Sequence, residues 1–591
     1  MSMIEVKGLK YKYPDTEKLV LDNVSFTIEK GEFIGLIGRN TAGKSTLCFA
    51  LSGLVPHFFK GAYGGKVMLD GMEVKQHGMP DIVSKVGLVF ENPFSQISGA
   101  KFNVFDEIAF GLENIGLERK EMIDRIEESL TLLNISDLRE KNPFELSGGQ
   151  MQRVAIASVI VMKPEVIILD EPTSQLDPQS SEEVFKVVEN LTREGITIIM
   201  AEHKMEKVAQ YADKVLLLDD GKRIAYDSPA AIFSLEDLFN YGVTPPVITR
   251  MAKKLGIKNP ETGHYPVTIE EVQGELAKEM EKHAGQKAII KENRSGSNVC
   301  QTQSRSGAEE SRSIGVQNRS GTDEKRSKSE LKVMDLHYSY IEDIEVLKGI
   351  DLTFKDLSTG IIGQNGAGKT TFVKLLKGLL NPTKGKILLD GKNITESTAA
   401  GIAKQIGMVF QNPNDQIFKN KVIEEVKFGA LNVGQREGDA EANAINALQK
   451  VGLDEYKEKN PYDLNLSERK MISIASILSM NTDVLIFDEP TMGQDYAGKE
   501  KIKHIIEELR RAGKLVICIL HDMDFAAEVF ERIVVFNQGQ VLLDGDPRNV
   551  FSNEPVLKHA GLEQPYVMRI AKRLGLDDSY FVEEKLMGRL G

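Results

Sequence analysis

GRNTAGKST at Gly38–Thr46 and GQNGAGKTT at Gly363–Thr371 place the same glycine-rich turn twice in one chain. Each fits the spacing GxxxxGK[ST], follows a short apolar run and leads into a helical pattern, TLCFALSGL or TFVKLLKGL. Glycines let backbone amides close around phosphate oxygens, and a helix N-terminus adds a favourable dipole. One such match arises by chance as a glycine-rich turn; two in matching context make that reading improbable. The expected phosphate-binding residues are Gly38, Arg39, Asn40, Thr41, Ala42, Gly43, Lys44, Ser45 and Thr46 in the first loop. In the second they are Gly363, Gln364, Asn365, Gly366, Ala367, Gly368, Lys369, Thr370 and Thr371. Lys44 and Lys369 are expected to hold β and γ phosphates, and Ser45 and Thr370 to ligate Mg²⁺.

The loops belong to a large internal duplication. VGLVFENPFSQ recurs as IGMVFQNPNDQ, VIILDEPTSQLD as VLIFDEPTMGQD, and SPAAIFS…AKKLG as DPRNVFS…AKRLG, in the same order. Lys44 and Lys369 stand 325 residues apart; Asp170 and Asp488, like His203 and His521, stand 318 apart. So small a drift means short loop insertions or deletions on one shared fold. Short apolar runs such as EFIGLIG and EVIILD, separated by helical stretches, predict an open α/β sheet with phosphate chemistry at the strand carboxyl ends. At 591 residues the chain is too long for one core.

Between the halves, residues 285–330 are rich in Ser, Arg, Gln, Gly and Glu and lack apolar periodicity. Such a segment buries too little surface to offset its ordering entropy, so a flexible tether is expected. Its Arg-Ser content invites an RNA-binding reading, which the interspersed acids and missing aromatics weaken. A tether raises the effective concentration of each half for the other. The net charge of -13 and pI near 5.5 oppose the basic surface of a nucleic-acid binder, so no nucleic acid is expected. No apolar run reaches the roughly 18 residues that span a bilayer. The first residues lack a secretory core, and a cytoplasmic setting is expected. Cys48, Cys300 and Cys518 are scattered and are expected to be reduced thiols.

Asp170 and Asp488 end the apolar runs VIILD and VLIFD, where a carboxylate meets the Mg²⁺ shell. Glu171 and Glu489 follow, placed to orient and polarise an attacking water. An isolated Asp-Glu-Pro commonly caps a turn; the repeat and the paired loops outweigh that reading. His203 and His521 follow further apolar strands, placed to contact a γ-phosphate as a switch. A lone histidine is more often structural, and recurrence in register favours function. Tyr13 and Tyr340 lie where an aromatic stacks on adenine, although strand tyrosines, Tyr11 and Tyr338 among them, commonly serve packing.

LSGGQMQR at Leu146–Arg153 lies between the first loop and VIILDEP. With it the first half resembles the ABC ATPase superfamily along its whole length, and the second half nearly as well. The resemblance implies two tandem P-loop NTPase domains, each with a RecA-like core, an antiparallel β subdomain and a helical signature subdomain. It further implies that the modules pack head to tail as an intramolecular dimer, with ATP and Mg²⁺ between them. Ser147, Gly148, Gly149 and Gln150 would then reach the ATP held by the opposite loop. VFENPFSQ and VFQNPNDQ, with DEIAFGLENIGL and EEVKFGALNVGQ downstream, are similar to the ATPase subunits of energy-coupling factor (ECF) importers of vitamins or transition-metal ions. That likeness implies a peripheral place on the cytoplasmic side of the cell membrane. It implies a membrane coupling (T) protein docked near Glu91–Gln96 and Gln411–Gln416, and a separate substrate-capture (S) protein. The expected division is ATPase domains at 1–240 and 331–550, accessory extensions at 241–284 and 551–591, and the linker between.

The two ATP sites are not expected to be equal. The second signature position reads LNLSERKM, with Leu466 and Ser467 at the places of Gly148 and Gly149. TMGQD replaces TSQLD, Thr41 stands where the other loop has Gly366, and Glu91 stands where the other half has Gln411. Head-to-tail packing gathers all four departures at one site. The other keeps Lys369, Thr370, Gln411, Asp488, Glu489 and His521 opposite Ser147–Gln150. One efficient hydrolytic site and one impaired site, where Glu171 and His203 survive, are therefore expected; tolerated drift is the bland alternative. The rival function is a soluble tandem ABC ATPase acting on ribosomes or DNA. The degenerate signature, acidic balance and scattered cysteines oppose it, and the intact glutamates disfavour a purely ATP-gated scaffold.

Overall fold

Runs of buried β-branched and aliphatic residues form the centre of each half. The computed structural model describes residues 2–271 and 329–590, apart from 15, 175, 342, 343, 396 and 574–581. The tether expected at 285–330 lies outside the described residues except for Ser329 and Glu330, as does Cys300.

The first half contains β1 (Ser2–Lys12), β2 (Leu21–Glu29), β3 (Phe33–Ile37), β4 (Ala62–Leu69), β5 (Met72–Glu73), β6 (Val86–Val89), β7 (Val166–Asp170), β8 (Thr197–Ala201), β9 (Lys214–Asp219) and β10 (Lys222–Asp227). The core sheet runs β10-β9-β3-β8-β7-β6, parallel except where β10 turns back on β9. Every residue of β3, β7 and β8 is buried, as expected of parallel strands covered on both faces. A separate antiparallel sheet has the order β2-β1-β4-β5.

The second half repeats this plan with β11 (Leu331–Ile341), β12 (Ile344–Phe354), β13 (Thr359–Ile362), β14 (Lys384–Leu389), β15 (Lys392–Asn393), β16 (Ile406–Val409), β17 (Val484–Asp488), β18 (Leu515–Leu520), β19 (Arg532–Asn537) and β20 (Gln540–Gly545). Its core order, β16-β17-β18-β13-β19-β20, matches the first strand for strand, and its antiparallel sheet is β12-β11-β14-β15. Among the helices of each half, three form a group of their own: Val104–Ile115, Arg119–Leu132 and Gly148–Ile160 in one, Val422–Asn432, Glu437–Val451 and Leu466–Ser479 in the other. They share one apolar core with a face of their parallel sheet. The fold is thus α/β, with two tandem phosphate-loop modules, as expected.

Beyond the core sheets, the helices Val247–Leu255 and Tyr566–Arg573 carry their apolar residues on one face and lysine or arginine in the last turn. Those faces meet in one cluster of Val247, Ile248, Met251, Val567, Ile570 and Leu586, joining the halves. Burying each such side chain contributes about 1.5–3 kcal/mol. Arg250 pairs with Glu583 at 2.5 Å across this seam, and the Phe239 and Tyr496 rings meet at 5.5 Å. Each seam helix is tied to its own core. Val247 N donates to Glu206 Oε1 at 3.4 Å, and Val567 N donates to Asp524 Oδ1 at 3.4 Å.

Candidate functional site

The carboxyl ends of the parallel strands carry the phosphate chemistry. Strand β3 runs into the first loop, whose Lys44 is buried and donates to the carbonyls of Gly38 and Arg39 at 3.1 and 3.2 Å. In the second loop Lys369 donates to Gly363 and Gln364 at 2.7 and 2.9 Å. A Cβ at Gly38 would stand 2.2 Å from the Leu218 carbonyl, and one at Gly363 2.4 Å from that of Phe536, so only glycine fits either turn. The loops differ at their tips. Gly366 has φ 81, which costs glycine nothing, whereas Thr41 takes φ 70, an outlier conformation for a β-branched residue.

Strands β7 and β17 deliver Asp170 and Asp488 beside the loop hydroxyls. Thr370 Oγ1 donates to Asp488 Oδ1 at 3.5 Å, and Ser45 hydrogen-bonds Asp170, whose Oδ1 has no partner. Burial, then the adjacent Glu171, pushes Asp170 up to about 6. Burial and Glu489 push Asp488 up to about 7. Neighbouring buried carboxylates resist ionising together, and a divalent cation removes that penalty. One carboxylate, one hydroxyl and an unsatisfied acid oxygen fit Mg²⁺, whose remaining ligands are usually phosphate and water. Among the described residues no cluster of three or more His, Cys, Asp or Glu is arranged to hold a metal alone.

Beside each aspartate a histidine meets the next glutamate. His203 Nε2 lies 2.7 Å from Glu171 Oε1, and His521 Nε2 lies 2.6 Å from Glu489 Oε1. Burial opposes ionisation of either glutamate, but the histidine and the loop lysine outweigh it and hold both low. Gln411 Nε2 donates to the other oxygen of Glu489 at 2.9 Å. Glu91 has no amide to offer. Burial, with Glu171 and Asp170 nearby, raises it to about 8.

Tyr13 and Tyr340 occupy matching places, their hydroxyls 3.2 Å from Thr46 Oγ1 and Thr371 Oγ1. Tyr11 is buried and bonded to the Phe59 and Lys60 carbonyls, a packing residue. Arg39 is engaged by its own half, Nε meeting Asp219 at 2.6 Å and Nη2 the Asn240 carbonyl at 2.5 Å, which leaves its backbone toward the loop.

Contacts between the halves follow the head-to-tail pattern. Asn40 N donates to Asp495 Oδ2 and Asn40 Nδ2 to the Gly493 carbonyl, both at 3.0 Å, joining the first loop to the segment after Asp488-Glu489. In the other direction Gln364 Nε2 donates to Gln179 Oε1 at 2.8 Å. A Cβ at Gly149 would lie 3.4 Å from Asn365 Nδ2 of the second loop.

Both signature helices keep a capping box, worth about 1 kcal/mol per cap. Ser147 pairs with Gln150 in one and Asn465 with Glu468 in the other. The second has lost its glycines without losing its helix start. Ser467 Oγ donates to Gln494 Oε1 at 2.8 Å, and Gln494 Nε2 donates back to the Ser467 carbonyl at 3.2 Å. Sequence reasoning did not single out Gln494, Gln179 or Lys470. A lysine inside the apolar stretch KMISIASIL was the one visible signal.

A family model described as ABC transporter matches residues 21–174 and 347–492. A Methanosarcina mazei protein assigned as an ABC transporter ATP-binding protein is 36% identical over 578 residues, covering 96% of this chain and 93% of the relative. A counterpart from Caldanaerobacter subterraneus subsp. tengcongensis is 32% identical over 583 residues, covering 97% and 96%. Among solved structures, cbiO1 from Clostridium perfringens, part of the ABC transporter complex cbiONQ, is 34% identical, covers 42% of this chain and 98% of its own, and has a TM-score of 0.36. Two family matches, one in each half and each holding its own phosphate loop and paired acids, make this chain a tandem ATPase of the ABC transporter ATP-binding protein family.

Proposed function

We propose that this ATPase energises an ECF-type importer of a vitamin or transition-metal ion, using one efficient and one impaired ATP site between its halves. The observation that carries the asymmetry is the bond from Gln411 to Glu489, with His521 on the other carboxylate oxygen, against two carboxylates, Glu91 and Glu171, at the other site. At the efficient site Lys369 and the loop amides would hold phosphate opposite Ser147–Gln150, and Thr370 and Asp488 would hold Mg²⁺. The ion, when bound, neutralises charge on the transferring phosphoryl. Glu489 accepts a hydrogen bond from the attacking water, held in place by Gln411 and His521. Tyr340 flanks the base.

A membrane partner is supported by exposed aromatics near the two expected docking loops. Phe94, Phe102, Phe110 and Phe144 are exposed on the first half, and Phe418, Phe428 and Tyr462 on the second. Clustered exposed aromatics of this kind mark interaction surfaces. No helix among the described residues is long and apolar enough to cross a membrane. Purification of the chain from membranes tests the reading: two small hydrophobic proteins should accompany it. Co-sedimentation with ribosomes and no membrane partner would overturn it.

A further inference from the structure

Lys470 lies in the helix Leu466–Ser479, five residues after the capping Asn465. Gln152 occupies the same place after Ser147 in the first half. Both side chains are 1% exposed. The Lys470 ammonium donates to three backbone carbonyls: Phe410 and Gln411 at 2.8 Å each, and Asp488 at 3.0 Å. An ammonium has three donors, and all three are used. Burial lowers its affinity for a proton, but Asp488 and Glu489 offset part of that cost and supply the opposing charge. One side chain thus fastens the signature helix, the loop after β16 and the end of β17 into a single knot.

The first half lacks this fastening. Gln152 Nε2 has no hydrogen-bond partner. The two loops share one brace, Phe90 N donating to Gln96 Oε1 at 3.2 Å and Phe410 N to Gln416 Oε1 at 3.1 Å, and the second has a further one at its tip, Arg469 Nη1 donating to Asn414 Oδ1 at 2.6 Å. Lys470 therefore marks a mechanical difference between the halves. It falls on the half whose Gln411 touches Glu489.

We propose that Lys470 is a positioning residue for ATP hydrolysis, clamping the Gln411 loop to the Asp488-Glu489 strand end so that Gln411 and Glu489 hold the attacking water. It touches neither nucleotide nor water and acts through the backbone of its neighbours. The inference rests on the reading of Glu489 as the water-holding carboxylate.

Two measurements on the full chain test it. In the unaltered protein, amide hydrogen exchange should be slower over residues 406–416 than over 86–96; equal rates, or the reverse, overturn the clamp. In Lys470→Gln, which installs the first half's residue, the difference should vanish. At the same time kcat should fall about 10- to 100-fold while the KM for ATP stays within about threefold, because the phosphate loops are untouched. Lys470→Arg, keeping donors and charge, should recover part of kcat. A Lys470→Gln protein with unchanged kcat, or with kcat lost only through a raised KM, overturns the proposal. Should Lys470→Gln fail to fold, the exchange comparison in the unaltered chain still decides. Turnover surviving in Glu489→Gln would strike the reading of the site, whereas equal exchange in the two loops would strike the clamp.

Discussion

Gln411 Nε2 donates to Glu489 Oε2 at 2.9 Å, while its counterpart Glu91 is raised to about 8 by burial and by the nearby Glu171 and Asp170. One half offers the attacking water a base held by an amide. The other pairs Glu171, held ionised by His203 and Lys44, with a buried carboxyl that keeps its proton near neutral pH.

Glu489→Gln should therefore lower steady-state ATP turnover by about 100-fold or more, the usual scale for losing a positioned base, whereas Glu171→Gln should cost less than about threefold. Comparing both at saturating ATP and Mg²⁺ checks this, and equal losses would sink the asymmetry.

Thr41 holds φ 70 where the companion loop uses Gly366 at φ 81. A β-branched residue in that region stores about 1–3 kcal/mol of strain. Thr41→Gly should raise the denaturant midpoint of the nucleotide-free chain, and it should tighten ATP binding at the first loop, read by titration with a non-hydrolysable analogue. A lower midpoint would contradict the strain.

Asp524 is raised to about 8 by burial, then by Asp522 and Glu206 beside it. Because the folded state holds this proton more tightly than the unfolded chain, its contribution to stability is complete below the ordinary carboxylate range. It is lost as pH rises from about 4 toward 8. Asp524→Asn should flatten that part of the stability curve and be the more stable protein at pH 8; a parallel curve in thermal melts from pH 5 to 8 would refute the assignment.

Met251 and Ile570 sit in the apolar cluster shared by the halves. Placing a carboxylate there buries an unpaired charge, so Met251→Asp should destabilise the seam by about 3–5 kcal/mol. Limited proteolysis near residue 255 should report it, with the core ATPase folds unaffected by circular dichroism.

Motifs with fixed spacing were legible in the sequence. The phosphate loops, paired acids and histidines each recur on a strand end, and local turn chemistry dictates where such residues point. Head-to-tail pairing was also legible, through the signature LSGGQ; the Asn40–Gly493 and Gln364–Gln179 bonds follow its direction. What could not be read were side chains whose partners lie far along the chain. Lys470 reaches a carbonyl 60 residues away, and Arg39 one 201 residues away; no local pattern encodes such pairs. The second signature is instructive in the same way. Loss of its glycines reads as damage, yet Asn465 and Glu468 rebuild the cap, so helix geometry persists while the chemistry offered to a phosphate changes.

The apolar seam of Val247, Met251, Val567 and Ile570 includes none of the residues placed to hold nucleotide. When ATP is spent, the halves need not drift apart and find each other again. A contact built apart from the nucleotide keeps each half within reach of the other, so reassembling the paired sites calls for no new encounter.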